Sequence, residues 1–162
     1  MILYLVRHGI AVDRTDPNSP AEPERPLTAK GVQKSRQAAL GLKELGVKPD
    51  VVLTSPYVRA AQTAEIFVEA LGVGQEKIRA CEALKPAGNP ADVVKEATRL
   101  KAKEAICFGH APHLDHLISQ LAGSRTAFTG LKKAGVACFE QGAGGRWELL
   151  WILTPKMLRQ LA

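Results

Sequence analysis

The sequence has few aromatic residues, few cysteines and no long apolar run. Aromatic residues make up 5% of the chain and are not interleaved with basic ones, which argues against a platform for single-stranded nucleic acid. The three cysteines lie far apart without a CxxC pair, so neither a disulfide framework nor a zinc knuckle is expected. The longest apolar run, ELLWIL from Glu148, is too short to cross a bilayer.

The start of the chain is interpreted as a strand and not as a signal peptide. Its first residues, MILYLV, lack a basic segment and a cleavage site, and they lead directly into Arg7 and His8. Together with the absence of a membrane segment, this predicts a soluble cytoplasmic protein. A length of 162 residues without repeats or a dividing linker predicts one domain over residues 1–162.

The chain is basic, with a formal net charge of +6. Such a charge is compatible with nucleic acid, an acidic partner or a phosphorylated substrate. The lysines are dispersed along predicted helices and loops, which favours a solvated basic surface, and we expect neither a nucleic-acid nor a membrane partner. On charge alone a nucleic-acid binder stays an alternative, and its affinity would fall steeply with salt and would not depend on His8.

Apolar runs and helical periodicity alternate along the chain. Short apolar runs predict strands at residues 2–6, 51–54, 105–108, 135–139 and 147–153. Helical spacing of apolar residues predicts helices at 29–45, 57–71, 91–102 and 113–122. The order indicates an α/β fold, with a mostly parallel sheet, helices on both faces and a C-terminal antiparallel hairpin. Ligands of such sheets bind beyond the carboxyl ends of the strands.

Polar residues follow three of the predicted strands. Arg7 and His8 end the first strand, His110 ends the third, and Ser55 follows the second. Ser55 is predicted to cap the next helix, whose free backbone donors attract anions, and Arg59 lies about one turn into that helix. A cation and an imidazole at the end of a buried strand cost desolvation energy unless an anion meets them. The pattern predicts a site for a phosphoryl group.

Five motifs in order carry a resemblance to a known family. They are LVRHG at 5–9, RPLTAKG at 25–31, SPYVRAAQTA at 55–64, EALKPAG at 82–88 and FGHAPHL at 108–114. With them the sequence resembles the histidine phosphatase superfamily, whose fold is phosphoglycerate-mutase-like. Within that superfamily it is similar to the short phosphohistidine phosphatase branch of the SixA type.

The resemblance implies that His8 attacks phosphorus and forms a transient phosphohistidine, which water then hydrolyses. Phosphoryl transfer is catalysed mainly by positioning and by neutralising charge on the phosphoryl oxygens. Arg7, Arg59 and His110 would supply this clamp, with Ser55 at the helix start helping. No cofactor is expected, because no Walker loop or carboxylate cluster indicates magnesium. A metal site in HAPHLDH is disfavoured because a proline separates His110 from the following helix.

The general acid is less clear from the sequence. Glu82 stands where family members carry an acidic residue beside the leaving group, although an ordinary exposed glutamate fits the same position. An alkoxide needs a well-placed proton to leave, whereas imidazole leaves easily. This favours phosphohistidine in a signalling protein, such as a histidine phosphotransfer domain, as the substrate.

Two other functions stay open at this stage. The chain could hydrolyse a small phosphomonoester, such as a sugar, nucleotide or cofactor-precursor phosphate. It could also be a catalytically silent phosphate-binding module, which the presence of His8 disfavours because binding alone does not need this residue. The roles of Arg14, Arg25 and His113 near the predicted site stay open as well.

Overall fold

A six-stranded sheet runs through the centre of the molecule. The computed structural model describes residues 1–162. Its strands are β1 (Ile2–Arg7), β2 (Val51–Thr54), β3 (Ile78–Ala80), β4 (Glu104–Gly109), β5 (Val136–Gln141) and β6 (Trp147–Leu153). The spatial order is β3-β2-β4-β1-β5-β6, in which the first four strands are mutually parallel. The last two are antiparallel to their neighbours and form a hairpin. The predicted α/β class, with its C-terminal antiparallel pair, is confirmed.

Helices cover both faces of the sheet. They are α1 (Ala29–Glu44), α2 (Val58–Leu71), α3 (Pro90–Arg99), α4 (His113–Leu121) and α5 (Pro155–Leu158). Residues of α1, α2 and α5 share one buried apolar cluster, and residues of α3 and α4 share a second. Side chains of β1 alternate between the two, with Leu3 and Leu5 in one cluster and Tyr4 and Val6 in the other. None of the five helices combines the length and apolar content needed to span a membrane.

Two short elements were not predicted, and one helix start was predicted wrongly. Strand β3 is three residues long and mostly exposed, so it carries no apolar run, and α5 is a single turn. Helix α2 begins at Val58 with Tyr57 as its N-cap, so the prediction that Ser55 caps the helix is wrong. Tyr57 keeps an extended backbone, and the hydroxyl of Ser55 accepts the Tyr57 N–H and lies beside His110 instead.

The three cysteines are buried and unpaired. Cys107 and Cys138 belong to the apolar clusters, and Cys81 lies in the same cluster as Cys107. Burial raises the pKa of all three thiols, that of Cys138 to about 12. These sulfur atoms are therefore core atoms that stay protonated at neutral pH.

Candidate active site

The predicted site residues meet where β1, β2 and β4 end. A cleft of about 760 Å³ opens there, and its lining includes Arg7, His8, Arg59 and His110. Because β1 lies next to β4 and β4 next to β2, the carboxyl ends of these parallel strands place the side chains at one edge of the sheet. Ser55 is buried directly behind, in contact with His110.

His8 is buried and is held in one tautomer by its neighbours. Its Nδ1 lies 2.7 Å from the carbonyl oxygen of Gly9, which can only accept, so Nδ1 carries the proton. Its Nε2 is then unprotonated and accepts a hydrogen bond from Nε of Arg59 at 3.2 Å. Burial lowers the pKa of His8 to about 3, and the charges of Arg59 and Arg7 add to this shift. His8 is therefore neutral at pH 7, with a lone pair on Nε2.

Arg59 is fixed on all three of its nitrogen atoms. It lies in the first turn of α2 and is 3% exposed. Besides the bond to His8, its Nη1 donates to the main-chain oxygen of Glu22 at 2.8 Å and its Nη2 to Oε1 of Glu22 at 2.8 Å. Thr63, one turn further along α2, donates to the Arg59 carbonyl and accepts the N–H of Gly9 at 3.0 Å. The hydroxyl of Thr63 thus connects the backbone after β1 with the turn of α2 that carries Arg59.

Arg7 is held from the other side of the cleft. Its Nη1 donates to the carbonyl oxygen of Leu131 at 2.8 Å, and its buried Nε has no partner in the protein. The N–H of Leu131 donates in turn to the buried carboxylate of Asp115 at 2.8 Å, and the hydroxyl of Thr129 donates to the same oxygen. The Asp115 carboxylate therefore fixes the segment that orients Arg7.

His110 faces His8 with one nitrogen engaged and one free. The ring centroids of the two histidines are 5.1 Å apart. Nε2 of His110 lies 2.9 Å from the hydroxyl of Ser55, and its buried Nδ1 has no partner. The pKa of His110 is lowered to about 2, mainly by burial and in addition by the charge of Arg59. If the Ser55 hydroxyl donates to Nε2, Nδ1 carries a proton and offers a donor to an anion.

The arrangement places one nucleophilic nitrogen among several hydrogen-bond donors. Nε2 of His8 carries a lone pair and can act as a nucleophile. The two guanidiniums can donate to a tetrahedral oxyanion, and so can Nδ1 of His110 when the Ser55 hydroxyl donates to Nε2. Donors already fixed before the reaction lower the barrier because they need no reorganisation as charge develops. Chemically, such a site is suited to accept a phosphoryl group on nitrogen.

Five charged residues that line the cleft were not predicted as site members or were left open, namely Asp13, Arg14, Glu22, Arg25 and Lys133. Glu22 was missed: it lies in a 3-10 turn of the 13–26 loop, and its carboxylate contacts both Arg59 and Arg25. Arg25 lines the cleft, and its Nη1 also donates to the main-chain oxygen of Val12 at 2.6 Å. Lys133 was missed, and its charge contributes to lowering the pKa of His8. The i, i+3 spacing of Glu22 and Arg25 is the one sequence signal for this ion pair.

Other candidates lie apart from the cleft. Glu82 is exposed, pairs with Lys85 and lines a separate cleft beside β3, so the structure does not bring it to His8. His113 is buried in the first turn of α4 without a hydrogen-bond partner, and burial lowers its pKa. His116 is exposed. The structure contains no group of three or more His, Cys, Asp or Glu side chains placed to hold a metal ion.

A family model supports the resemblance inferred from the motifs. The model for the histidine phosphatase superfamily (branch 1) matches residues 3–86. This match covers more than half of the chain, including Arg7, His8 and Arg59, so the chain belongs to the histidine phosphatase superfamily.

Similar proteins agree with this assignment. The phosphohistidine phosphatase SixA of Escherichia coli (strain K12) is 28% identical, over 98% of this chain and 97% of its own. The structure of the protein histidine phosphatase SixA complexed with tungstate superposes with a TM-score of 0.85 at 25% identity, covering 96% of this chain and 98% of the other. A phosphoserine phosphatase of Entamoeba histolytica, complexed with phosphoserine, shares the fold with a TM-score of 0.74 at 16% identity, covering 97% and 98%.

Proposed function

We propose that this chain is a metal-independent phosphatase that removes phosphate from phosphohistidine in a signalling protein, such as a histidine phosphotransfer domain. The observation that carries the proposal is the state of His8. Its Nε2 is unprotonated and accepts a hydrogen bond from the guanidinium of Arg59. The ring of His110, whose Nδ1 has no partner, lies 5.1 Å from the His8 ring between centroids. Residues 1–162 form the single catalytic domain of this proposal.

In the first step, Nε2 of His8 gives up the hydrogen bond from Nε of Arg59, and its lone pair attacks the phosphorus atom. The freed Nε–H of Arg59 then donates to a phosphoryl oxygen. The bond from His8 to phosphorus forms as the bond from phosphorus to the substrate nitrogen breaks, and the electron pair leaves with that nitrogen. The second ring nitrogen of the substrate phosphohistidine, which bears no phosphorus, carries a proton throughout this step. The substrate imidazole therefore leaves as a neutral molecule. Arg7, Arg59 and His110 stabilise the charge on the phosphoryl oxygens, and Ser55 orients His110.

In the second step, water attacks the phosphorylated His8. The bond from the water oxygen to phosphorus forms as the bond between phosphorus and Nε2 breaks and its electron pair returns to Nε2. Both water protons stay with the product, which leaves as dihydrogen phosphate. Nδ1 keeps its proton on the Gly9 carbonyl throughout, which fixes the ring orientation for both steps. The low pKa of His8 keeps Nε2 free of a proton and ready for the next cycle.

The carboxyl groups that line the cleft are ionised, which favours a substrate whose leaving group needs no proton. Asp13 and Glu22 line the cleft, and hydrogen bonds lower the pKa of both, from the Thr15 backbone and from Arg25 respectively. Glu82, the acid implied by the family resemblance, lies outside the cleft. An alkoxide needs a proton from such a group in order to leave, whereas imidazole leaves without one. The site is therefore better suited to phosphohistidine than to a phosphomonoester. The similarity to SixA over nearly the whole chain supports the same substrate class.

A second candidate is hydrolysis of a small phosphomonoester. The volume of the cleft, about 760 Å³, falls in the range that holds small ligands. A small phosphorylated molecule therefore has enough room in the cleft beside His8.

Turnover on the two substrate classes tests the proposal. Initial rates are measured on a phosphohistidine-bearing phosphotransfer domain and on a panel of sugar, nucleotide and amino-acid phosphates, with and without EDTA. Rapid quenching at neutral pH, followed by mass spectrometry, locates phosphate on the enzyme. We expect a preference for the phosphohistidine protein, no effect of EDTA and phosphate on His8.

His8→Ala provides the control. It is expected to abolish hydrolysis while still binding inorganic phosphate, because the donors of Arg7, Arg59 and His110 remain. A strong preference for the monoester panel would replace the proposal by the second candidate. Phosphate binding without any turnover by the natural chain would indicate a binding module.

A further inference from the structure

Glu22 makes two separate contacts with the Arg59 guanidinium. Its main-chain oxygen accepts from Nη1 and its Oε1 accepts from Nη2, both at 2.8 Å. The third nitrogen, Nε, points to Nε2 of His8 at 3.2 Å. A planar guanidinium fixed at two nitrogens has little freedom to rotate, so the contacts of Glu22 determine where Nε points.

Glu22 is itself fixed in place. Oε2 accepts from Nε of Arg25 at 2.8 Å and Oε1 accepts from Nη2 of Arg25 at 2.8 Å, a two-point ion pair. Arg25 is anchored on the main-chain oxygen of Val12, next to the exit of β1. Hydrogen bonds from Arg25 lower the pKa of Glu22, so its carboxylate stays charged through neutral and mildly acidic pH.

We infer that Glu22 is a positioning residue for the phosphoryl-transfer reaction, an inference that rests on the proposed function. It holds Arg59 so that Nε faces the nucleophile and the remaining N–H groups face the phosphoryl oxygens. Glu22 does not touch the reacting atoms and acts only through Arg59. Arg25 contributes by keeping the carboxylate of Glu22 in place.

The alternative reading is that Glu22 occupies the anion site and blocks it. Two features argue against this. A guanidinium has five N–H donors, and the bonds of Arg59 to Glu22 and His8 use three, which leaves one each on Nη1 and Nη2. In addition, Nε of Arg7 and Nδ1 of His110 have no partner in the protein, so the Glu22 carboxylate does not take up these two donors.

Two substitutions and a matched control separate these readings. Glu22→Ala removes the carboxylate, and Glu22→Gln keeps one oxygen that can accept from Nη2 of Arg59 but loses the charge. Glu24→Gln removes one negative charge from the same 3-10 turn at an exposed residue whose side chain makes no hydrogen bond or ion pair. Thermal unfolding by circular dichroism checks that each variant is folded.

The first readout is independent of turnover. The Nε–H signal of Arg59, assigned by its absence in Arg59→Lys, is followed by nitrogen-15 NMR and its exchange with water is measured. We expect exchange to become about tenfold faster in Glu22→Ala, because the guanidinium has lost a fixed partner, and to stay unchanged in Glu24→Gln.

The second readout divides the kinetic effect between kcat and KM. In Glu22→Ala we expect kcat for a phosphohistidine-bearing domain to fall about 100-fold, while KM and the Kd for inorganic phosphate change less than about threefold. The positive charge of Arg59 remains in the cleft and still attracts the anion, but its donors are no longer held in the productive orientation. Glu22→Gln should lie between Glu22→Ala and the natural chain.

Specific results overturn the inference. If Glu22→Ala binds inorganic phosphate more tightly and turns over at least as fast, Glu22 competes for the anion site. Unchanged Nε–H exchange in Glu22→Ala means that the Glu22 carboxylate does not hold Arg59. A natural chain without phosphatase activity would refute the proposed function alone, since the NMR comparison does not require turnover.

Discussion

The cleft has a floor and a rim that are stabilised in different ways. The floor consists of His8, Arg59 and His110, all buried and placed by strand ends or by the first turn of α2. The rim consists of Asp13, Arg14, Glu22, Arg25 and Lys133, which line the cleft nearer to solvent. Burial therefore fixes the geometry of the floor, and ion pairs and loop hydrogen bonds fix that of the rim.

The same direction of pKa shift has opposite consequences in the two regions. On the floor, burial lowers the pKa of His8 and His110, which makes both imidazoles neutral. On the rim, hydrogen bonds from Arg25 lower the pKa of Glu22, which keeps its carboxylate charged. The comparison teaches that desolvation keeps the imidazole of His8 unprotonated, while pairing with Arg25 keeps the Glu22 carboxylate charged beside Arg59. Four predictions test this division, from the largest expected effect to the smallest.

Loss of a floor guanidinium should have the largest effect. Arg59→Ala removes a donor group aimed at His8, and we expect kcat/KM to fall by about 10³-fold, the size typical of arginines that stabilise phosphoryl transfer. Steady-state rates on a phosphohistidine-bearing domain measure it. The rim control Arg14→Ala should change kcat/KM less than about threefold. Equal losses in both variants would contradict the distinction between floor and rim.

The buried histidines should make folding stability depend on pH. His8 has a folded pKa of about 3 against 6.5 for the free side chain, so between these values the unfolded chain binds more protons. This contribution to stability is complete above pH 6.5 and is lost as the pH falls toward 3. The expected slope from His8 is about 1.4 kcal/mol per pH unit.

Urea unfolding at pH 7, 6, 5 and 4 checks this pH dependence. His8→Asn should flatten the slope by that amount. The same change at the exposed His116 should leave the slope as it is. A natural chain whose free energy of unfolding does not change between pH 7 and 4 would count against a desolvated His8.

The segment that orients Arg7 should depend on one carboxylate oxygen. Asp115→Ala leaves the buried N–H of Leu131 without a partner, which should cost about 2 kcal/mol in the free energy of unfolding. Asp115→Asn keeps an oxygen at the same position and should lose less than half of that. Urea titration compares the two variants, and equal losses would mean that the charge of Asp115 matters more than its accepted hydrogen bonds.

The smallest effect is expected at the rim. Lys133 is exposed and lines the cleft, so Lys133→Ala should raise KM for an acidic phosphoprotein about threefold at low salt, with the difference vanishing near 0.5 M salt. Lys132→Ala, at the neighbouring exposed residue outside the cleft, is the matched control. A salt-independent rise in KM would show that Lys133 acts by direct contact and not by long-range attraction.

The floor could be predicted from the sequence because each member follows a recognisable strand. The apolar runs before His8 and His110 identified β1 and β4, and the parallel topology then required their ends to meet. The helical spacing after β2 placed Arg59 one turn into α2. Strand β3 was not predicted because its three residues, Ile78–Ala80, are mostly exposed and include an arginine, so they form no apolar run.

The rim could not be predicted in the same way. Glu22 and Arg25 lie in a proline-rich loop without apolar periodicity, and their geometry arises from hydrogen bonds to Val12 and Arg59 that only the fold brings near. Glu82 is the opposite case, a predicted site residue that lies outside the site. Its position in a family motif suggested a role in catalysis, yet its carboxylate pairs with Lys85 outside the cleft. Contacts between polar loop residues leave no periodic pattern in the sequence, so their partners cannot be predicted from it.

The buried thiols have a chemical consequence for the proposed enzyme. Phosphatases whose nucleophile is a cysteine thiolate are inactivated when that sulfur is oxidised or alkylated. In the proposed mechanism the nucleophile is a ring nitrogen, and Cys81, Cys107 and Cys138 are buried and do not line the cleft that contains His8. No reactive sulfur therefore lies beside the proposed phosphoryl site. We expect the rate of dephosphorylation to be the same with and without hydrogen peroxide or iodoacetamide.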